Sequence, residues 1–176
     1  GVVVGTGMID GRPVVVFSQD FAVFGGSIGR LGSAKIQRAL QLAITRGLPL
    51  VMILDGGGHR IQDGQDARHF ANANATFHNF ARASGWVPMV ALMLAAGFAG
   101  PTNYAGMADL VVMVRGTSTM GIAGPALVKA ALERGLQAEL SSHLGYEKGS
   151  EDASKHANSR NGTSPKTVQS EVGPIA

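Results

Sequence analysis

Cysteine is absent from the 176 residues of the chain, which excludes disulfides, thiolate zinc sites and cysteine nucleophiles. Charge is also scarce, since Asp, Glu, Lys and Arg together make up 15% of the residues against 45% hydrophobic ones. No apolar run reaches the roughly 18 to 20 residues of a membrane span, and the N-terminus lacks the basic-then-apolar pattern of a signal peptide. We therefore expect a cytoplasmic protein.

Clustered positive charge is missing as well. The net charge is only +3, and the basic residues are scattered without forming a run that would indicate a nucleic-acid stripe. Aromatic residues are absent beyond Tyr146, where the chain becomes polar and rich in Gly, Ser, Asn and Lys. Because such a segment buries too little apolar surface to offset its ordering entropy, we predict that it is disordered or loosely attached.

The apolar part of the chain alternates between strand and helix patterns. "GVVVGTG" and "RPVVVFSQ" predict a hairpin joined by an Asp-Gly turn, and "SIGRLGSAKIQRALQLAITRG" predicts a helix. "LPLVMILD", "VPMVALML" and "ADLVVMV" read as buried strands, with the helical segment "DARHFANANATFHNFARASG" between the first two. This order predicts an α/β fold with a parallel sheet covered on both faces. Trp86 and the strand methionines, including Met113, are predicted core residues.

Two glycine-rich turns follow buried strands. Gly56, Gly57 and Gly58 end the first strand, and Gly97 and Gly100 end the next. Glycines leave backbone N–H groups bare, so two such turns on neighbouring strands could aim donors at one oxyanion or enolate. The alternative is that tight strand–helix crossings simply need small residues. A phosphate loop is disfavoured, because neither turn has the Lys and Ser/Thr of a Walker motif.

Three motifs carry a family resemblance. "DGRPVVVFSQDFAVFGGSIG" (10–29), "DGGGHRIQDG" (55–64) and "ADLVVMVRGTSTMGIAGPALVK" (108–129) resemble carboxyltransferase (beta) subunits of biotin-dependent acyl-CoA carboxylases, most closely the propionyl-CoA and acetyl-CoA types. The resemblance covers residues 1–129, which we expect to be the N-terminal half of a carboxyltransferase. It implies a crotonase-like spiral of parallel strands covered by helices, and an acyl-CoA substrate. It also implies carboxybiotin on a biotin carboxylase/biotin carrier partner, a homo-oligomer, and no metal.

The same resemblance implies the site residues. The N–H groups of Ala99 and Gly100 would be the main donors to the thioester enolate, and Gly57 and Gly58 would line the same pocket. This chain departs from the family pattern at His59 and Gly56, which replace Ala and Ser, and at Pro101, which replaces a glycine. The residues expected to contact the substrate are Phe24, Gly25, Gly26, His59, Arg60 and Gly97.

Two of these positions have other readings. His59 is either a ligand of the CoA phosphates or substrate, or a partly exposed loop histidine. Arg60 is expected to pair with Asp63 near the helix start, a structural role. A Ser–His–Asp hydrolase of the Clp type, which shares the fold, is disfavoured because "AAGFAGPTNYAG" contains no serine.

Residues 130–176 carry a second resemblance. "LERGLQAELSSHLGYEKG" and "NSRNGTSPKTV" resemble the N-terminal region of mutator-type insertion-sequence transposases, so we expect a helix followed by mostly disordered chain. The hypothesis is a carboxyltransferase gene interrupted by an insertion element, with this chain inactive on its own for want of a biotin-binding half. The alternatives are an inactive truncated fragment, or a DNA-binding module that uses Arg160 and Lys166.

Overall fold

The computed structural model describes the backbone of residues 1–64, 67–147, 168–170 and 173–175, and the side chains of residues 1–60, 62–63 and 75–147. The chain divides into two compact units, Gly1–Ile122 and Ala123–Ala176. The predicted disorder beyond Tyr146 falls mainly on residues outside the described part.

The first unit begins with the predicted hairpin. Strands β1 (Val2–Ile9) and β2 (Arg12–Gln19) pair antiparallel from Val2 opposite Gln19 to Ile9 opposite Arg12. The two connecting residues, Asp10 and Gly11, both have positive φ, 50° and 75°. A two-residue turn of this kind matches the twist of the strands, which is why the Asp-Gly signal located it.

Helix α1 (Arg30–Arg46) confirms the second predicted element. Its buried residues Ile36, Leu40 and Ala43 recur at the spacing of one helical face. Gly47 ends the helix with φ 61°, a left-handed conformation that glycine adopts without strain.

The sheet has the order β1-β2-β3-β4-β5 and is parallel from β2 onward. Strands β3 (Leu50–Gly56), β4 (Met89–Phe98) and β5 (Leu110–Met113) follow the predicted apolar runs. A short strand, β6 (Thr119–Gly121), pairs in parallel with the last residues of β4. The carboxyl ends of β3 and β4 therefore lie side by side.

Three helices connect these strands: α2 (Ile61–Gly64), α3 (Ala67–Ala83) and α4 (Gly100–Gly106). The core includes an aromatic cluster in which the ring of Tyr104 stacks on Phe80 at 5.0 Å between centroids and meets Phe17 edge-on at 6.5 Å. Tyr104 is fully buried, and its hydroxyl has no hydrogen-bond partner among the described residues.

Some predicted core positions are exposed instead. All four residues of β5, Met113 included, are exposed, and Leu110 reaches 56%. Because β5 is the edge strand of the sheet, its other edge is unpaired, and its apolar side chains are exposed. Trp86 is 65% exposed and its indole N–H donates to the carbonyl of Ile44 at 3.0 Å, so it is a surface residue.

The second unit contains helix α5 (Pro125–Leu144), which ends at Gly145 with φ 78°. It also contains the antiparallel pair β7 (Val168–Ser170) and β8 (Gly173–Ile175). No helix in the described ranges is long and apolar enough to cross a bilayer.

Replacing Tyr104 by Phe should raise the free energy of unfolding by about 1 kcal/mol, because a buried hydroxyl without a partner is lost. Burial also raises the pKa of Tyr104 well above its ordinary value. The pKa of Tyr in the unfolded chain is about 10, and below that pH the contribution of Tyr104 to the free energy of unfolding does not change with pH. This contribution is lost as pH rises through the higher folded pKa. Tyr104→Phe should therefore remove an alkaline loss of stability, measured by urea unfolding across pH.

Phe80→Ala is the comparison variant, since it opens a cavity under the same ring and should lower stability by about 3 to 5 kcal/mol. A marked destabilisation by Tyr104→Phe at neutral pH would show that the hydroxyl has a stabilising partner.

Candidate active site

The two glycine turns are in contact. Gly56 on β3 pairs with Gly97 on β4, and the chains continue to meet beyond the strands. A Cβ on Gly58 would lie 2.7 Å from the Cβ of Ala99 and 3.4 Å from the amide nitrogen of Gly100. The structure thus brings together the two turns that the sequence singled out.

A third backbone segment crosses the first turn. Phe24–Gly26 form a left-handed turn in which all three residues have positive φ. A Cβ on Gly26 would lie 2.3 Å from the carbonyl oxygen of Asp55, and one on Gly56 would lie 2.5 Å from the carbonyl oxygen of Gly25. Both distances are shorter than any real Cβ contact, so the crossing requires glycine on both segments.

Two of the predicted donors are occupied. The amide of Gly57 donates to the carbonyl oxygen of Gly25 at 3.1 Å, and the amide of Ala99 donates to that of Gly121 at 2.9 Å. An N–H group that is bonded within the protein does not point at a ligand. In this structure the amides of Gly57 and Ala99 are therefore engaged within the protein, and their assignment as donors to the substrate stays a prediction.

The amides of Gly58 and Gly100 remain. Neither donates a hydrogen bond to any residue that the structure describes. Gly100 is the first residue of α4, where an N–H has no intrahelical acceptor, and Pro101 follows it without an N–H. One bare donor thus comes from each turn.

Ala99 connects β4 to α4 in a strained conformation, with φ 56° and ψ −106°. Such a backbone costs on the order of 1 to 3 kcal/mol in a non-glycine residue. It is held by hydrogen bonds on both sides, since the amide of Asn103 also donates to the carbonyl of Ala99 at 2.9 Å. The Thr102 hydroxyl lies 2.9 Å from the carbonyl oxygens of Gly97 and Gly121 and accepts from the Gly121 amide at 3.0 Å.

Gln19 is a site residue that the sequence analysis missed. Its side chain is buried, its Nε2 donates to the carbonyl of Gly26 at 3.1 Å, and its Oε1 accepts from the amide of Asp55 at 3.3 Å. Gln19 therefore joins the Phe24–Gly26 turn to the end of β3. The signal available in the sequence was a glutamine at the end of an apolar strand.

Arg60 organises the outer side of the first turn. Its guanidinium lies 4.5 Å from the centre of the exposed Phe24 ring, and its Nε donates to the Ser27 hydroxyl at 3.3 Å. The predicted pairing with Asp63 is present at 3.9 Å, and Asp63 also accepts from the amide of Arg30 at 2.9 Å. These residues line a cavity of about 350 Å³.

His59 and Gly97 occupy different surroundings. The Nδ1 of His59 would lie 3.9 Å from a Cβ on Gly100, so the imidazole is beside both turns. The space next to Gly97 is filled, because a Cβ there would lie 2.2 Å from the terminal carbon of Met93 and 3.2 Å from the Cβ of Pro101. Gly97 therefore has a packing role in this structure, and its contact with the substrate stays a prediction.

Asp55 lies at the crossing of the two segments. Its Oδ1 is buried and has no hydrogen-bond partner among the described residues. Burial raises the pKa of Asp55 above its ordinary value, because the charged form is less well solvated there. Within the described part, no group of three or more His, Asp or Glu side chains is placed to hold a metal ion.

Comparison with known proteins gives the same family from sequence and from structure. The profile of the carboxyl transferase domain matches residues 1–171. The alpha subunit of methylmalonyl-CoA decarboxylase from Veillonella parvula is 40% identical over 139 residues, which are 79% of this chain and 27% of that protein. The beta5 subunit of the biotin-dependent acetyl-/propionyl-coenzyme A carboxylase from Mycobacterium leprae is 44% identical over 129 residues, 73% of this chain and 23% of that one.

Solved structures agree. Transcarboxylase 12S, determined with methylmalonyl-coenzyme A and methylmalonic acid bound, superposes with a TM-score of 0.69 and 34% identity, covering 76% of this chain and 26% of that one. The beta subunit of geranyl-CoA carboxylase from P. aeruginosa gives 0.65 and 32%, covering 71% and 24%. These likenesses confirm the predicted crotonase-like α/β fold. The chain spans about a quarter of the length of the curated relatives it matches.

Gln19→Ala should lower the free energy of unfolding by about 2 to 3 kcal/mol, because it leaves the Gly26 carbonyl and the Asp55 amide without partners. Urea denaturation measures the change. Gln41→Ala, at an exposed position on α1, is the matched control and should change stability by less than about 0.5 kcal/mol. Equal effects of the two variants would show that Gln19 does not hold the turn.

Asp55→Asn should make stability less dependent on pH in the acidic range. Since the folded pKa of Asp55 is raised, its favourable contribution is complete below the unfolded value of about 3.9 and is lost as pH rises through the folded pKa. Relative to wild type, the variant should therefore be more stable at pH 7 than at pH 3. A difference in stability between variant and wild type that is the same at pH 3 and at pH 7 would contradict this expectation.

Proposed function

The chain belongs to the carboxyl transferase domain family, and from that premise we propose that it holds the thioester of an acyl-CoA while a carboxyl group is transferred at the α-carbon. The proposed substrate class is propionyl-CoA or acetyl-CoA. The relatives' names include both carboxylases and decarboxylases of acyl-CoA thioesters. Gaining and losing a carboxyl group at that carbon share one intermediate, the thioester enolate.

The observation that carries the proposal is the contact between Gly58 and Gly100, whose amides have no acceptor in the described part of the chain. A thioester carbonyl oxygen placed between them would accept one hydrogen bond from each turn. Negative charge develops on this oxygen as the enolate forms, so the donors act more strongly on the enolate than on the thioester. Loss of one such donor typically costs about 3 to 4 kcal/mol in the barrier.

The proposal needs no side-chain base in this chain. The left-handed Phe24–Gly26 turn and Arg60 would lie along the CoA arm, and His59 would lie beside the thioester. These placements are supported by the contacts of the first turn with Gly25 and Gly26.

We further propose that the carboxyl donor is biotin on a carrier partner, and that the working enzyme is an oligomer, as the transcarboxylase 12S hexamer is. The pair of bare amides at the two turns is assigned to the thioester. We therefore assign no biotin site to the described residues.

Binding of propionyl-CoA compared with S-propyl-CoA tests the proposal, because the second ligand lacks only the carbonyl oxygen. Titration calorimetry should give propionyl-CoA an affinity about tenfold higher, the value expected from two hydrogen bonds to one oxygen. Gly58→Ala should remove the difference, because its Cβ would lie 2.7 Å from that of Ala99 and force the turns apart.

Gly106→Ala is the matched control, since a Cβ there meets nothing within 4 Å. It should keep the preference for propionyl-CoA. Equal affinity of wild type for the two ligands would exclude the carbonyl contact, and binding of neither would exclude the acyl-CoA site.

The resemblance of residues 130–176 to transposases stays a prediction. If these residues bind DNA, the affinity should fall steeply with salt and should depend on Arg160 and Lys166. We favour the acyl-CoA function because it rests on contacts among described residues.

A further inference from the structure

The tip of the second turn has a side chain, although its conformation favours glycine. Ala99 has φ 56° and lies between the last residue of β4 and the first residue of α4. Its methyl group points at the first turn, where Gly58 has no side chain and would clash if it had one. The methyl group therefore occupies the space between the two turns, next to the bare amides of Gly58 and Gly100.

A strained residue between a strand and a helix is also where many hydrolases carry their nucleophile. In such an elbow the sharp turn exposes a serine hydroxyl beside the backbone donors that stabilise an oxyanion. This chain has the strand, the strained tip, the helix and two bare amides, but the tip carries a methyl group. The chain also has no cysteine that could act as a nucleophile instead.

We propose that Ala99 is a specificity-determining residue that denies a bound thioester a nucleophile. This inference rests on the proposed function. The amides polarise the thioester carbonyl, which would promote attack at the carbonyl carbon as well as enolate formation. A methyl group at the tip blocks the first outcome, so the thioester survives until its α-carbon reacts.

The missing reaction can be written out. With a hydroxyl at position 99, the side-chain oxygen would form a bond to the thioester carbon, the carbon–sulfur bond would break, and the hydroxyl proton would end on the CoA thiol. The product is an ester on the protein and free CoA. No oxidant, reductant or further reactant is needed.

Ala99→Ser is the direct test, with propionyl-CoA and p-nitrophenyl propionate as two acyl donors. Intact-mass measurement should show one propionyl ester on the variant and none at this position in wild type. The second donor releases p-nitrophenolate and does not need a CoA site, so it tests the turn independently of acyl-CoA binding. Peptide mapping places the adduct.

Ala96→Ser is the matched control, because Ala96 is also half-buried but lies three residues before the tip, inside β4, where it pairs with Thr119 of β6. The variant at the tip should be acylated about 100-fold faster than the control, the effect typical of oxyanion-hole donors. Circular dichroism confirms that each variant is folded. If Ala99→Ser is unfolded, Ala99→Cys replaces it, with the new thiol unique in the chain.

The outcomes separate the two ideas. Acylation at position 99 by p-nitrophenyl propionate, with no binding of propionyl-CoA to wild type, overturns the acyl-CoA function and with it the role of Ala99 toward a bound thioester. Binding of propionyl-CoA by wild type, with a folded variant that neither donor acylates faster than the control, overturns the role of Ala99 and leaves the proposed function in place.

Discussion

The candidate site depends on main chains that touch where no side chain can fit. Gly26 meets the carbonyl of Asp55, and Gly56 meets the carbonyl of Gly25, at distances that exclude even a methyl group. This contact fixes the Phe24–Gly26 turn against the end of β3 and satisfies the Gly57 amide. The orientation of the next amide, that of Gly58, follows from it. The glycines are therefore required by the close packing of the backbone, and the bare amides follow from that packing.

The sequence left two interpretations of the glycine turns open, close packing and donors for an anion, and the contacts relate one to the other. Tight crossings and donors for an anion were alternatives, yet the close contacts and the bare amides occur together in this structure. The close approach engages the Gly57 amide through Gly25, and β6 engages the Ala99 amide through Gly121, which leaves the amides of Gly58 and Gly100 without an acceptor among the described residues. The backbone contacts of the two turns thus determine which amides stay bare.

Local signals in the sequence were sufficient for most elements of the fold. The Asp10–Gly11 turn, the Ile36–Leu40–Ala43 face of α1 and the meeting of two strand ends all follow from short-range patterns. The donors could not be assigned in this way, because the acceptor for Ala99 is Gly121, on a strand that lies beyond α4 and β5. Trp86 and β5 were misjudged for a related reason, since an apolar pattern does not tell whether another element covers it.

The two bare amides lie on separate turns, so the distance between the turns sets the distance between the donors. Each turn offers one bare amide, and Pro101 removes the second amide that α4 could have offered. The anchors on each side then matter as much as the glycines. Gln19 fixes the first turn through Gly26 and Asp55, and Thr102 fixes the second through Gly97 and Gly121. Because both anchors are neutral and hydrogen-bonded to backbone, they hold the donors in place without adding a charge that would compete for them.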